Sequence, residues 1–152
     1  MVYLDNAATS FPKPPEVYDR VLSFMRESCA NPGRSSHEMA RASANCIMKT
    51  RESLCQLFNI SNPLQIGFTP NATLALNMAI YGILKKGDHV ITTALEHNSV
   101  LRPLYELKKN GVIDYTVVTP KNHFGTIETQ SIMRAVRTNT KLIVVTASSN
   151  VI

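Results

Sequence analysis

The sequence predicts an α/β fold, with a mostly parallel sheet that carries helices on both faces. Helical and strand-like segments alternate along the chain, and the strand-like segments are short and rich in apolar or β-branched residues. Strands of this kind are typical of parallel sheets whose faces are covered by crossover helices. The 152 residues are 44% hydrophobic and 18% charged, which suits a globular domain with a hydrophobic core.

The first part of the chain is predicted to be helical. A run of prolines favours a helix start, and apolar residues recur at helical spacing over residues 17–25. Ser35, with Glu38 three residues later, forms a capping-box pattern. This pattern predicts a long helix that ends at Phe58.

The remaining chain alternates between strands and helices, with turn residues between them. Strands are predicted at residues 65–69, 89–93, 114–119 and 141–146, and helices at residues 73–84, 100–109 and 129–136.

Charge and cysteine usage exclude several function classes. The formal net charge is +5, but the basic residues are scattered and form no patch with aromatic residues, so we expect no nucleic-acid partner. The three cysteines form no close pair in the sequence, and the N-terminus does not resemble a secretory signal peptide. Both features predict a cytoplasmic location. No apolar stretch has the length of a membrane span, and no His/Cys/Asp/Glu spacing predicts a metal site.

Residues 66–77 carry the clearest functional signal. They are predicted to form a strand, a tight turn and the first turn of a helix, where free backbone N–H groups meet the positive end of the helix dipole. Such a turn binds anions, most often phosphate. Ala72 is small enough to let a phosphate approach, and Thr73 offers a hydroxyl. Taken alone, helix capping by Asn71 is the simpler explanation, and the Gly-rich nucleotide motifs are absent.

Two further polar residues follow predicted strands. His97 comes after the second strand and Asn150 after the last. Ligands of open α/β sheets bind beyond the carboxyl ends of the strands, so we expect an anion cradle, an imidazole and a carboxamide to converge there. Helix capping is the alternative role for His97, and a turn is the alternative for Asn150.

Five motifs occur in the order that one family shows. They are YLDNAATSFPKP at residues 3–14, NPGRSSH at 31–37, FTPNATLALN at 68–77, EHNSV at 96–100 and SNV at 149–151. With these motifs the chain resembles the N-terminal part of the class V aminotransferase superfamily, specifically the cysteine desulfurase and selenocysteine lyase group.

The resemblance implies pyridoxal 5′-phosphate as the cofactor, bound by the large domain of a fold type I transferase. It implies that Ala72 and Thr73 hold the phosphate. His97 would stack on the pyridine ring and act in proton transfer, and Asn150 would bond the phenolic oxygen. The residues implied beside the substrate pocket are Asn6, Ala7 and Ala8. A local turn bond is an equally good explanation for Asn6.

The resemblance also implies an organisation and a reaction. Residues 1–30 would form an N-terminal arm and helix, and residues 31–152 an incomplete large pyridoxal-phosphate-binding domain of a homodimer. The implied reaction removes sulfur from L-cysteine, or selenium from L-selenocysteine, and gives alanine and an enzyme persulfide for a sulfur-acceptor protein. No residue here matches the family's cofactor-binding lysine or nucleophilic cysteine, so we expect these 152 residues alone to be inactive.

Two other functions stay open at the level of the sequence. One is another class V enzyme, either an aminotransferase or an amino-acid lyase, because these enzymes share the first motifs. The other is a non-catalytic binding or scaffold protein that has kept the cofactor fold.

Overall fold

The computed structural model describes residues 2–6, 8–33 and 36–149. By its internal contacts the chain divides into two compact units, Met1–Gly67 and Phe68–Ile152. The division into residues 1–30 and 31–152 stays a prediction.

The first unit contains the two predicted helices. Helix α1 spans Pro15–Glu27 and helix α2 spans Glu38–Phe58. Proline suits the first position of α1 because an N–H there would have no partner within the helix. A 3-10 helix follows at Pro63–Gln65.

The start of α2 differs from the predicted capping box. His37 is the N-cap, and its Nδ1 accepts a hydrogen bond from the Ala40 amide at 3.2 Å. The prediction that Ser35 opens this helix is therefore wrong, because the imidazole two residues later supplies the acceptor. Ser35 itself lies outside the described residues. At the other end, Asn59 terminates α2 in the left-handed conformation, with φ of 53°, which asparagine tolerates better than most residues.

The predicted strand at residues 65–69 is also wrong. Its first residue belongs to the 3-10 helix, and residues 66–69 pair with no strand in the described part of the chain. The Asn62 side chain accepts a hydrogen bond from the Leu64 amide at 2.9 Å. The Gln65 and Ile66 amides bond back to carbonyls at residues 62 and 63. Local turn bonds thus use the N–H groups of the first two residues of the predicted strand.

The second unit is built on a parallel sheet, as predicted. Strand β1 spans Asp88–Thr93, β2 spans Ile113–Val118 and β3 spans Thr140–Ile143. The strand order is β2-β1-β3, and both pairs are parallel. Strand β3 ends at Ile143, three residues earlier than predicted.

Three helices accompany this sheet, all near their predicted positions. Helix α3 spans Ala72–Ile83, α4 spans Asn98–Lys109 and α5 spans Thr129–Ala135. No helix in the described part of the chain is long and apolar enough to span a membrane.

One face of the sheet packs against α3 and α4 to form the core. Val90 of β1 and Ile113 of β2 lie in one apolar cluster with Ile80 of α3 and Leu104 of α4. Val90 and Leu104 are completely buried. Because side chains alternate along a strand, His89 and Thr116 point to the opposite face.

On that opposite face, buried His89 lies between two threonine hydroxyls. Its Nδ1 is 2.8 Å from Thr140 Oγ1, and its Nε2 is 2.9 Å from Thr116 Oγ1. Arg137 follows α5 and donates to both oxygens, through its guanidinium to Thr116 and through its backbone amide to Thr140. Burial, followed by the charge of Arg137, lowers the pKa of His89, while the charge of Asp114 acts in the opposite direction.

The pKa of His89 predicts that acid destabilises the fold. With a folded-state pKa below the unfolded value of about 6.5, the unfolded chain binds more protons as pH falls. The free energy of unfolding should therefore fall as pH decreases from about 7 to about 5. Denaturant unfolding across this range measures the loss. His89→Gln should flatten the profile, and His123→Gln, at an exposed loop residue, should not. Equal losses in the wild type and His89→Gln would contradict the prediction.

Leu104 should be a major contributor to the stability of the second unit. Leu104→Ala should lower the free energy of unfolding by about 2–5 kcal/mol, because it removes buried contacts and leaves a cavity. Tyr105→Ala is the matched control on the same helix, since Tyr105 is 63% exposed. The control should change stability by less than about 0.5 kcal/mol. Denaturant titration measures both, and similar effects from the two variants would contradict the packing described above.

Candidate cofactor site

The N-terminus of α3 presents two amides without acceptors. Asn71 caps the helix: its Oδ1 accepts from the Leu74 amide at 2.8 Å, and its carbonyl accepts from Ala75. Within the described residues, no acceptor is bonded to the amides of Ala72 and Thr73, and both residues are exposed. The helix dipole adds partial positive charge at this point. Capping by Asn71 and an anion site therefore coexist, because they use different N–H groups.

Local hydrogen bonds hold this turn, which follows an irregular segment and not the predicted strand. Thr69 Oγ1 donates to the Asn71 carbonyl at 2.9 Å. On the helix side, Asn77 Nδ2 donates to the Thr73 carbonyl at 2.8 Å. The amides of Ala72 and Thr73 are thus held by their own segment.

His97 caps α4, just beyond the end of β1. Its Nδ1 accepts from the Ser99 amide at 3.1 Å, and the Ser99 hydroxyl lies 2.8 Å from the same nitrogen. The capping alternative for His97 is therefore confirmed. Because Nδ1 must offer a lone pair to a backbone N–H, the neutral ring carries its proton on Nε2. Nε2 is then the nitrogen that remains for a ligand.

Thr73 and His97 line one cavity of about 220 Å³ between α3 and α4. Tyr81 and Arg102 also line it. The Tyr81 hydroxyl donates to Glu106 Oε2 at 2.9 Å, and this bond raises the pKa of Tyr81. The structure thus brings together two of the residues that the sequence assigned to one site.

The other predicted site residues divide into two groups. Ala7 and Asn150 lie outside the described residues. Asn6 and Ala8 belong to the first unit, where Asn6 Oδ1 accepts from the Phe11 amide at 3.0 Å. This is the local turn bond that the sequence left open for Asn6. The role of these residues beside a substrate stays a prediction.

Sequence reasoning missed Glu96, which directly precedes His97. Its side chain is buried, and it accepts hydrogen bonds from Thr93 Oγ1 and from the Thr146 amide. The sequence holds two signals for this residue: it is acidic in the short link between a buried strand and a helix, and it opens the EHNSV motif. Nothing local indicates its partner at Thr146.

The residues present fit a planar, phosphorylated cofactor. Two amides without acceptors and the Thr73 hydroxyl suit a phosphate at a helix N-terminus. The imidazole of His97 offers a flat partner at the same cavity. In the described part of the chain, no group of three His, Cys, Asp or Glu residues could hold a metal ion.

Together, the parallel sheet and this site define an α/β domain suited to a phosphate-bearing cofactor. The sequence model of the family described as "Aminotransferase class-V" matches residues 2–152. The chain belongs to the class V aminotransferase family, which confirms the resemblance given by its motifs.

Two curated relatives indicate where in this family the chain falls. The chain is 34% identical to "Cysteine desulfurase IscS" of Dictyoglomus turgidum, over 98% of this chain and 38% of the relative. It is 31% identical to a "Probable cysteine desulfurase" of Synechocystis, over 99% of this chain and 36% of the relative. The chain therefore spans little more than a third of the length of these relatives.

Solved structures agree with the fold. A structure described as "SspA in complex with cysteine" has a TM-score of 0.84 and 32% identity, over 99% of this chain and 43% of that chain. The apo cysteine desulfurase of Thermococcus onnurineus NA1 has a TM-score of 0.86 over 98% of this chain and 37% of that chain. Its 24% identity supports the fold alone.

The Asn71 cap should stabilise the second unit. Asn71→Ala should lower the free energy of unfolding by about 1 kcal/mol, because the Leu74 amide loses its acceptor. Asn71→Ser is the matched control, since serine is also a good N-cap. Denaturant titration compares the three proteins. Equal stability of the alanine and serine variants would contradict the capping role.

Proposed function

We propose that this chain supplies the cofactor-phosphate and ring-stacking part of a pyridoxal-phosphate-dependent cysteine desulfurase. One observation carries the proposal: Thr73, whose amide has no acceptor among the described residues, lines the same cavity as His97. Membership of the class V aminotransferase family and similarity to proteins named cysteine desulfurases support it.

Geometry supports proposed roles for Ala72, Thr73 and His97, and the role proposed for Asn150 is the one that the family resemblance implies. The amides of Ala72 and Thr73 would bind the phosphate, with the Thr73 hydroxyl as a further donor. The His97 ring would stack on the cofactor ring, and its Nε2 would hold or move the proton, because Nδ1 is occupied by Ser99. Asn150 would bond the phenolic oxygen. When bound, the cofactor would supply an electron sink for the charge left on the substrate carbon.

The proposed substrate is L-cysteine, with L-selenocysteine as its close analogue. Similarity to a structure of SspA in complex with cysteine supports this choice. Asn6, Ala7 and Ala8 would lie beside the substrate. In the proposed reaction the substrate sulfur passes to an enzyme thiolate, giving a persulfide, and the carbon skeleton leaves as alanine. The proposal includes a homodimer in the cytoplasm that passes sulfur to an acceptor protein in sulfur metabolism.

Cofactor binding by the chain itself tests the phosphate cradle. Calorimetric titration should show that pyridoxal 5′-phosphate binds and that pyridoxal, which lacks the phosphate, binds at least about tenfold more weakly. Ala72→Glu should weaken binding by at least about tenfold through charge repulsion, while an acidic first turn favours the helix itself. Thr129→Glu is the control, because it places the same charge at the first residue of α5. It should leave binding unchanged.

The role of the His97 ring is separable from its role as a cap. His97→Asn keeps a good N-cap residue and removes the imidazole. It should therefore leave the stability of α4 nearly unchanged and weaken cofactor binding. No binding by the wild type, or equal binding by the wild type and Ala72→Glu, would overturn the proposed site.

The reaction is tested in any longer protein that contains this chain. Alanine and sulfide formed from L-cysteine would support a desulfurase. A keto acid formed by transfer of the amino group would instead assign that protein to the aminotransferases.

A further inference from the structure

One buried carboxylate lies at the edge of the candidate site. Glu96 is 8% exposed and is the single Asp or Glu that is buried among the residues the structure describes. It belongs to the β1–α4 loop, defined as residues 94–97. The ion pairs found in the described residues involve Asp114 and Glu128 and do not include it. Neutral donors therefore hold this side chain in place.

These donors come from the ends of two neighbouring strands. Glu96 Oε1 accepts from Thr93 Oγ1 at 2.8 Å and from the Thr146 amide at 2.6 Å. Thr93 is the last residue of β1, and Thr146 lies three residues beyond the end of β3. A single oxygen atom thus links two segments that are 50 residues apart in sequence.

Glu96 acts where the backbone ladder stops. The last ladder-like bond between these segments runs from the Val144 amide to the Ile91 carbonyl at 2.9 Å. On its other edge β1 stays paired with β2 to its end, and the Ala94 amide donates to the Val118 carbonyl at 3.0 Å. The carboxylate extends the contact between the β1 and β3 segments past the point that backbone pairing reaches.

A second bond supports the same contact. Ser149 Oγ donates to the Leu95 carbonyl at 3.2 Å. The β1–α4 loop is therefore attached to residues 146–149 at two places. Residue 97 follows at once in this loop, and Asn150 follows in the other segment.

We infer that Glu96 is a positioning residue: its Oε1 fixes the loop that carries His97 against the segment that leads to Asn150. The inference rests on the proposed function for the roles of His97 and Asn150. The fixed contact itself rests only on the hydrogen bonds and the burial. In this role the carboxylate holds the residues directly before His97 against residues 146–149.

Three substitutions at Glu96 separate the effect of side-chain length from the effect of charge. Glu96→Gln keeps an oxygen at the same reach and removes the charge. Glu96→Asp keeps the charge but is one methylene shorter. Glu96→Ala removes both. If the position of the side-chain oxygen matters and its charge does not, the glutamine variant should behave like the wild type. The aspartate variant should then behave like the alanine variant.

Amide hydrogen exchange by NMR tests the contact directly. The Thr146 amide should exchange about tenfold faster in Glu96→Asp and Glu96→Ala, because its acceptor is lost, and the His97 ring signals should shift. Glu96→Gln should restore both. Glu128→Ala, which removes an exposed carboxylate paired with Lys121, is the control and should change neither. Unchanged Thr146 exchange in a folded Glu96→Asp protein would overturn the inference.

Ligand binding tests the consequence for the site. Glu96→Asp should weaken the binding of pyridoxal 5′-phosphate by about tenfold. It should leave the binding of inorganic phosphate unchanged, because the amides of Ala72 and Thr73 do not depend on this loop. Equal losses for both ligands would overturn the inference, since they indicate a general loss of structure. If the wild type binds phosphate but not the cofactor, the proposed function fails, and the exchange of Thr146 alone decides the role of Glu96.

Discussion

The burial of β1 is the constraint on which the second unit depends. This central strand pairs on both edges and is covered on both faces, yet four of its six residues are polar. Buried polar groups are costly unless they are hydrogen-bonded. His89 is satisfied by two threonines, and Thr93 by Glu96. Thr92 Oγ1 is the exception, since it has no hydrogen-bond partner in the described part of the chain. The polar residues of this strand thus organise its surroundings at both ends.

Helix capping and ligand binding share residues at the candidate site without competing. Asn71 satisfies the amide of the third helical residue and leaves those of the first two. His97 uses Nδ1 for the Ser99 amide and leaves Nε2. Each cap therefore uses one polar group in a hydrogen bond and leaves a neighbouring polar group for a ligand. This explains why a capping pattern in a sequence is compatible with a cofactor site and does not argue against one.

The predictable parts of this structure are those that are fixed by residues close to each other in sequence. Helices α3 and α4 follow from apolar periodicity, and the free amides at Ala72 and Thr73 follow from the way any helix begins. The strand prediction at residues 65–69 failed because an apolar run does not reveal that the amides of Gln65 and Ile66 bond back into a 3-10 turn. The cap of α2 failed for a similar reason, since His37 offers an acceptor that the capping-box pattern does not consider. Glu96 stood in a recognised motif, but its acceptor role was not predictable because it depends on Thr146, which only the sheet order brings near.

This difference between local and distant causes divides the site into two ends. The proposed phosphate end is a property of one short segment, because its amides belong to the first turn of α3. The proposed ring end depends on how the β1–α4 loop is attached to the segment after β3. The sheet and Glu96 join these two segments. Changes in the core or at the strand ends therefore act first on the ring end. An α/β domain could in this way keep its affinity for a phosphate while its hold on the rest of the ligand changes.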